Sequence, residues 1–134
     1  MILFLRGLFI VVLASMLWVT TWASLQCGLF AIPAGVYRHP WFVAAMFDAY
    51  WGFITFFVWL AWKERSAAAS FLWFVAIILL GNIAMASYFL RELLAVPATA
   101  SLEQVITRRN DGRLVLGGSL AAAGVAVYLL AWLA

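Results

Sequence analysis

The sequence predicts an all-α integral membrane bundle: four transmembrane helices, with a short interfacial helix before the last. Composition and pattern both point there. Hydrophobic residues make up 69% of the 134 and charged residues 10%, where an ordinary globular chain carries roughly a quarter charged residues. So few charges cannot cover that much apolar surface in water, whereas lipid needs no such cover. The apolar residues also fall into four continuous runs of about 19 to 23 residues, and about 20 helical residues at 1.5 Å each cross a hydrocarbon core of about 30 Å. The runs do not alternate, which excludes a membrane β-barrel.

The first run covers about residues 7–25. Arg6 before it and Thr21-Trp22-Ala23-Ser24 near its end resemble a secretory signal, but the apolar core is long for one, so a retained helix is expected. The second run covers about 41–62, the third 68–90 and the fourth 114–134, and all four are expected to form one transmembrane domain spanning residues 1–134. Backbone polar groups in lipid must be satisfied within the segment, so each run is read as a helix.

Three connections remain. Residues 26–40 hold two prolines and two glycines and read as an interfacial loop. Residues 63–67, Lys-Glu-Arg-Ser-Ala, read as a tight solvated turn. Residues 91–113 are the only long polar stretch. Within them Leu102, Val105 and Ile106 recur at helical spacing and Ser101 is placed to cap, which predicts a short surface helix. Four crossings put both termini on one side. The two long loops then carry five basic residues against three at the opposite end, which argues for loops in the cytoplasm, while Arg6 argues for the N-terminus there. Orientation stays open at this level.

Asp48 interrupts the second run, and an intramembrane carboxylate is a functional candidate by default. If the second and third helices form a hairpin about Ser66, Asp48 shares a depth with Asn82 and Tyr88, while the first helix brings Thr20 and Thr21 to the same level. This predicts a buried polar cluster of Asp48, Asn82, Thr20, Thr21 and Tyr88. It is either structural or a proton-handling or ligand-binding site.

Other residues invite weaker readings. Trp51, Thr55, Trp59 and Trp62 follow Asp48 at spacings of three or four. They form a candidate apolar face for a pigment, a quinone or a sterol-like ring, though such stripes are more often packing or interface anchors. Arg91, Arg108 and Arg109 are candidate lipid headgroup contacts. Gly117, Ala121 and Gly124 offer a small-residue face for close helix packing. His39, the one histidine, reads as an interfacial residue, and one histidine with one cysteine does not make a metal site. No catalytic motif is present, and the identity of any cofactor, a pigment or quinone included, is unknown at this level.

The residues Pro40, Trp41, Asp48, Trp59, Lys63 and Glu64 in the second segment, with Trp73, Gly81-Asn82-Ile83-Ala84 and Tyr88 in the third, carry a resemblance. Over about residues 1–94 the chain resembles the small plant and bacterial membrane proteins of domain-of-unknown-function family 1475. The resemblance supports the membrane fold and draws attention to Asp48 and Glu64. It brings no activity with it.

The expected function is that of a small non-enzymatic membrane protein, an accessory or scaffold subunit of a membrane complex. Its expected partners are membrane lipids and other membrane subunits or further copies of itself, with no nucleic acid. A bacterial cytoplasmic (inner) membrane is the expected location. The alternative is a small membrane enzyme or carrier for an isoprenoid or lipid, with Asp48 as the acid–base group.

Overall fold

The computed structural model describes all 134 residues. It contains seven helices and no strands: α1 (Ile2–Gln26), α2 (Ala34–Tyr37), α3 (Pro40–Lys63), α4 (Ala67–Leu80), α5 (Asn82–Leu94), α6 (Leu102–Thr107) and α7 (Val115–Leu133). Of these, α1, α3 and α7 are long and apolar enough to cross a membrane. Only 19 of 134 residues are buried, so most of the apolar side chains face outward, as a lipid-embedded chain permits and a water-soluble one does not.

The largest departure from the sequence reading is the third segment. It is not one helix over 68–90. Gly81 stands between α4 and α5 with φ 53 and ψ −123, the first-corner conformation of a type II′ turn, which an L side chain rarely adopts. Its N–H donates to Ile77 O at 2.8 Å and its carbonyl accepts from Met85 N at 3.1 Å, so one glycine closes one helix and opens the next. The chain then doubles back. The rings of Trp73 and Tyr88, which would lie roughly 22 Å apart along a straight helix, are 4.9 Å apart. At 14 and 13 residues, α4 and α5 are each about 20 Å long, too short to cross a 30 Å core alone. They form a helical hairpin whose tip packs on α3, where Gly81 faces the Phe53 ring.

The hairpin takes the place of one long straight helix and so changes the ends of the bundle. Arg6, inside α1 rather than ahead of it, donates to Leu93 O and Val96 O at the end of α5. Phe30, in the loop after α1, packs edge-on against Tyr128 and Trp132 near the end of α7. The N-terminus therefore lies at one end of the bundle and the C-terminus at the other, not both at the same end. The N-terminal end also holds the α3–α4 turn, the end of α5, α6 and the start of α7, and is called here the charged end.

Two apolar clusters hold these elements. Leu60, Trp73, Ala76, Ile77, Ala84, Tyr88 and Ala121 join α3, the hairpin and α7. Ile2, Leu93, Val96 and Val105 join the start of α1 to the end of α5 and to α6. Helix α7 lies along α4 on its small residues. Gly117, Ala121 and Gly124 are buried, and a Cβ at Gly117 would stand 2.9 Å from the Trp73 indole nitrogen, one at Gly124 2.9 Å from Leu79 Cβ.

Candidate functional site

The site begins with two short polar stretches that the sequence reading kept apart, Lys63-Glu64 at the end of α3 and Arg91-Glu92 near the end of α5. The hairpin returns the second to the first. Lys63 and Glu92 are fully buried and Glu64 nearly so. The solvated turn expected at 63–67 is therefore the centre of a buried charge network, and the relation of Lys63 and Glu64 to their surroundings is corrected accordingly.

Lys63 Nζ meets Glu92 Oε2 at 2.8 Å and donates to the carbonyls of Val105 and Arg108. Its three protons thus have three acceptors. Glu64 Oε1 accepts from Tyr88 Oη at 3.0 Å, from Asn110 Nδ2 at 3.0 Å and from the Arg91 guanidinium. Glu92 Oε1 accepts from Arg91 at 2.9 Å and lies 2.9 Å from Asn110 Nδ2, and Arg108 approaches Glu92 Oε2 at 3.4 Å. The backbone closes the same joint, with Asn110 N donating to Lys63 O at 2.9 Å and Arg65 N to Asn110 O at 3.2 Å.

Aromatic rings roof this network. Trp59 donates its indole N–H to Ile106 O at 3.2 Å and stacks on Phe89 at 4.9 Å. Arg91 lies over the Tyr88 ring at 4.5 Å and the Trp73 ring at 5.4 Å. The buried Lys63 and the partly buried Arg91 face two buried anions, as the cost of an unpaired buried charge requires. Burial pushes the Glu92 carboxyl up, but hydrogen bonds and charge from Lys63 and Arg91 outweigh it and hold Glu92 below its ordinary 4.5. Burial likewise pushes Arg91 down, and Glu64 and Glu92 more than restore it.

Beside the network opens a cleft of about 340 Å³ lined by Arg91, Arg108, Arg109, Asn110, Asp111 and Arg113, among others. Arg109 lies over the Trp62 ring at 5.3 Å. The three candidate headgroup arginines thus share one cleft, but not one role. Arg91 is committed to Glu64 and Glu92, Arg108 caps α6 and leans on Glu92, and Arg109 faces the opening. Helix α6 forms where expected, with Ser101 Oγ accepting from Gln104 N at 3.3 Å, and it drives Val105 into the second apolar cluster.

The layer expected around Asp48 does not assemble. Asp48 is exposed on α3, Asn82 is exposed at the hairpin tip, and Thr20 and Thr21 are exposed on α1. Thr20 Oγ1 bonds its own helix at Met16 O, 2.6 Å away, and Asp48 makes no hydrogen bond or ion pair with the rest of the chain. Tyr88 alone of the five is buried, at the charged end beside Glu64. The break at Gly81 carries Tyr88 back to the charged end, while Asp48, Asn82, Thr20 and Thr21 lie on outward faces. The aromatic stripe also divides: Trp51 and Thr55 stay outside, Trp59 turns into the network and Trp62 carries Arg109. His39 caps α3, its Nδ1 accepting from Trp41 N at 3.3 Å.

Fold and site together define a small helical membrane protein with three long apolar helices, a short helical hairpin and a charge network that ties the hairpin to its neighbours. The chain matches the family described as protein of unknown function DUF1475 over residues 2–112 and belongs to that family. The match runs past the expected 1–94 and takes in the whole charge network through Asn110. Helix α7 lies beyond it. No curated protein and no solved structure matches the chain.

Proposed function

We propose that this protein is a non-catalytic subunit that assembles, through the outer face of α3, with a different membrane polypeptide. One observation carries the reading: Asp48 sits about 12 Å along α3 from its first residue and is exposed with no partner in its own chain. An ionised carboxylate facing lipid costs up to about 3 kcal/mol at mid-helix. A cation or hydrogen-bond donor on a neighbouring helix removes that cost. A second copy meeting the first through the same face would set Asp48 against Asp48, a like-charge contact, so a two-fold dimer is disfavoured here. A different polypeptide bearing a donor at that depth fits. The same helix carries a groove lined by Met46, Phe47, Tyr50, Trp51 and Ile54, which supplies apolar contact area. It brings no carboxylate, histidine or basic residue to that face, which supports assembly over acid–base work on an isoprenoid or lipid.

Orientation belongs to the same reading. Seven of the eight basic side chains (Arg6, Lys63, Arg65, Arg91, Arg108, Arg109 and Arg113) gather at the charged end and only Arg38 lies at the other. With the hairpin in place the two forms of the positive-inside argument agree. The charged end and the N-terminus face the cytoplasm, and the C-terminus faces away.

A photo-crosslinking side chain at Phe47 tests the assembly in native membranes. The expected product joins this chain to a different polypeptide and disappears in Asp48→Leu. Products containing only this chain, or an unchanged product in that variant, refute the reading.

A further inference from the structure

We infer that the arginine cleft at the charged end is a binding site for the phosphate group of an anionic membrane lipid. This site is independent of the α3 face. Four guanidinium groups (Arg91, Arg108, Arg109 and Arg113) line about 340 Å³. The acidic groups nearby pair with Arg91 and Arg108 and leave Arg109 and Arg113 free. Glu92 is taken up by Lys63 and Arg91, with Arg108 at its edge. Asp111 is turned to solvent and stands 4.0 Å from Arg65. Arg109 and Arg113 line the cleft with no acidic partner within ion-pair distance.

Guanidinium forks match the geometry of phosphate oxygens, and paired donors hold such a group better than one point charge does. The site is also preorganised. Asn110 is bonded through both side chain and backbone to the α3–α4 turn, Arg108 is the cap of α6, and Arg109 rests on Trp62. The Asn110 wall and the Arg109 ring contact are therefore in place before binding, which lowers the ordering cost.

The position selects a lipid over a soluble phosphate. The cleft lies where the apolar helices end. Leu94 and Leu114, each adjacent in the chain to a lining residue, are 61% and 45% exposed, so apolar surface borders the cleft where acyl chains would run. Trp62 marks the same level, as tryptophan does at a membrane interface.

The test uses the full chain in detergent and follows tryptophan emission and lipid retention by native mass spectrometry. Probes are phosphatidylglycerol, phosphatidylcholine and inorganic phosphate. Phosphatidylglycerol is expected to bind in preference to phosphatidylcholine. Arg109→Gln and Arg113→Gln are each expected to weaken it about fivefold, the effect of one basic residue beside a charged headgroup layer. Both leave the buried pairs of Glu64 and Glu92 intact, and an unchanged melting temperature is the control for folding. Arg65→Gln removes the same charge outside the cleft and is expected to leave affinity unchanged. Equal binding of the two lipids, equal loss in Arg65→Gln, or no loss in the two cleft variants overturns the site. Inorganic phosphate displacing the lipid at equal concentration overturns the lipid assignment.

Discussion

Lys63 Nζ stands 2.8 Å from Glu92 Oε2, and solvent reaches neither side chain. The pair joins the last residue of α3 to the last turn of α5, across the joint that keeps the hairpin folded against the long helices. Removing one partner leaves the buried network with one charge in excess, and breaking a buried pair in this way costs about 3–5 kcal/mol. Lys63→Met and Glu92→Gln are each expected to lower stability in detergent by that order, measured by denaturant unfolding. Their combination should be less harmful than the sum, because the orphaned charge is gone.

The same pair sets an acid limb of stability. The folded Glu92 carboxyl titrates below its ordinary 4.5, so the unfolded chain takes up the proton first. Stability from this group is fully present above the unfolded value and is lost as pH falls through the folded one. Thermal melts should therefore weaken below about pH 4.5. Glu92→Gln, which starts less stable, should show a shallower acid limb. A limb as steep as in the parent would assign it to another group.

Gly81 allows the chain to reverse. A Cβ there would stand 2.7 Å from the tip of the Phe53 ring, in a backbone conformation already unfavourable to any side chain. Strained backbone of this kind costs on the order of 1–3 kcal/mol before the clash is counted. Gly81→Ala should lower the melting temperature, and Gly81→Val should lower it further. Adding Phe53→Leu should recover only the part due to the clash.

Gly117 and Gly118 are neighbours with different surroundings. A Cβ at Gly117 meets the Trp73 indole at 2.9 Å, while one at Gly118 meets Leu72 at an ordinary 3.5 Å. Gly117→Ala should destabilise by about 1–3 kcal/mol through overpacking. Gly118→Ala should be neutral or slightly stabilising, because alanine is the better helix former by about 1 kcal/mol. Melts of the two variants side by side read the difference.

Much of the architecture is legible in the residues. Apolar length marks α1, α3 and α7 within a few residues, and Ser101 marks α6. The reversal at Gly81 is less visible, because an apolar run of 23 residues satisfies the length of a membrane span whether or not it is straight. Its only local signal is Gly81-Asn82 at the midpoint of that run, a glycine and a polar amide where a continuous helix gains from neither. The site depends on that reversal. Lys63-Glu64 and Arg91-Glu92 read as solvated helix ends while they are placed at opposite ends of a straight helix. Once the hairpin brings them together, their complementary charges account for the burial. Asp48 was prominent in the sequence for a sound reason, its cost in lipid, but depth alone does not say which face of a helix a residue occupies.

The hairpin at Gly81 is the feature from which the site, the ends of the bundle and the proposed orientation all follow. Labelling of single cysteines from either side of sealed membrane vesicles tests it most directly. In a Cys27→Ser background, Arg65→Cys reports the α3–α4 turn and Asp111→Cys the segment before α7. Both side chains are exposed. The account predicts that a membrane-impermeant thiol reagent reaches both positions from the same side. Labelling from opposite sides would mean that the segment between them crosses the membrane, and would contradict the hairpin.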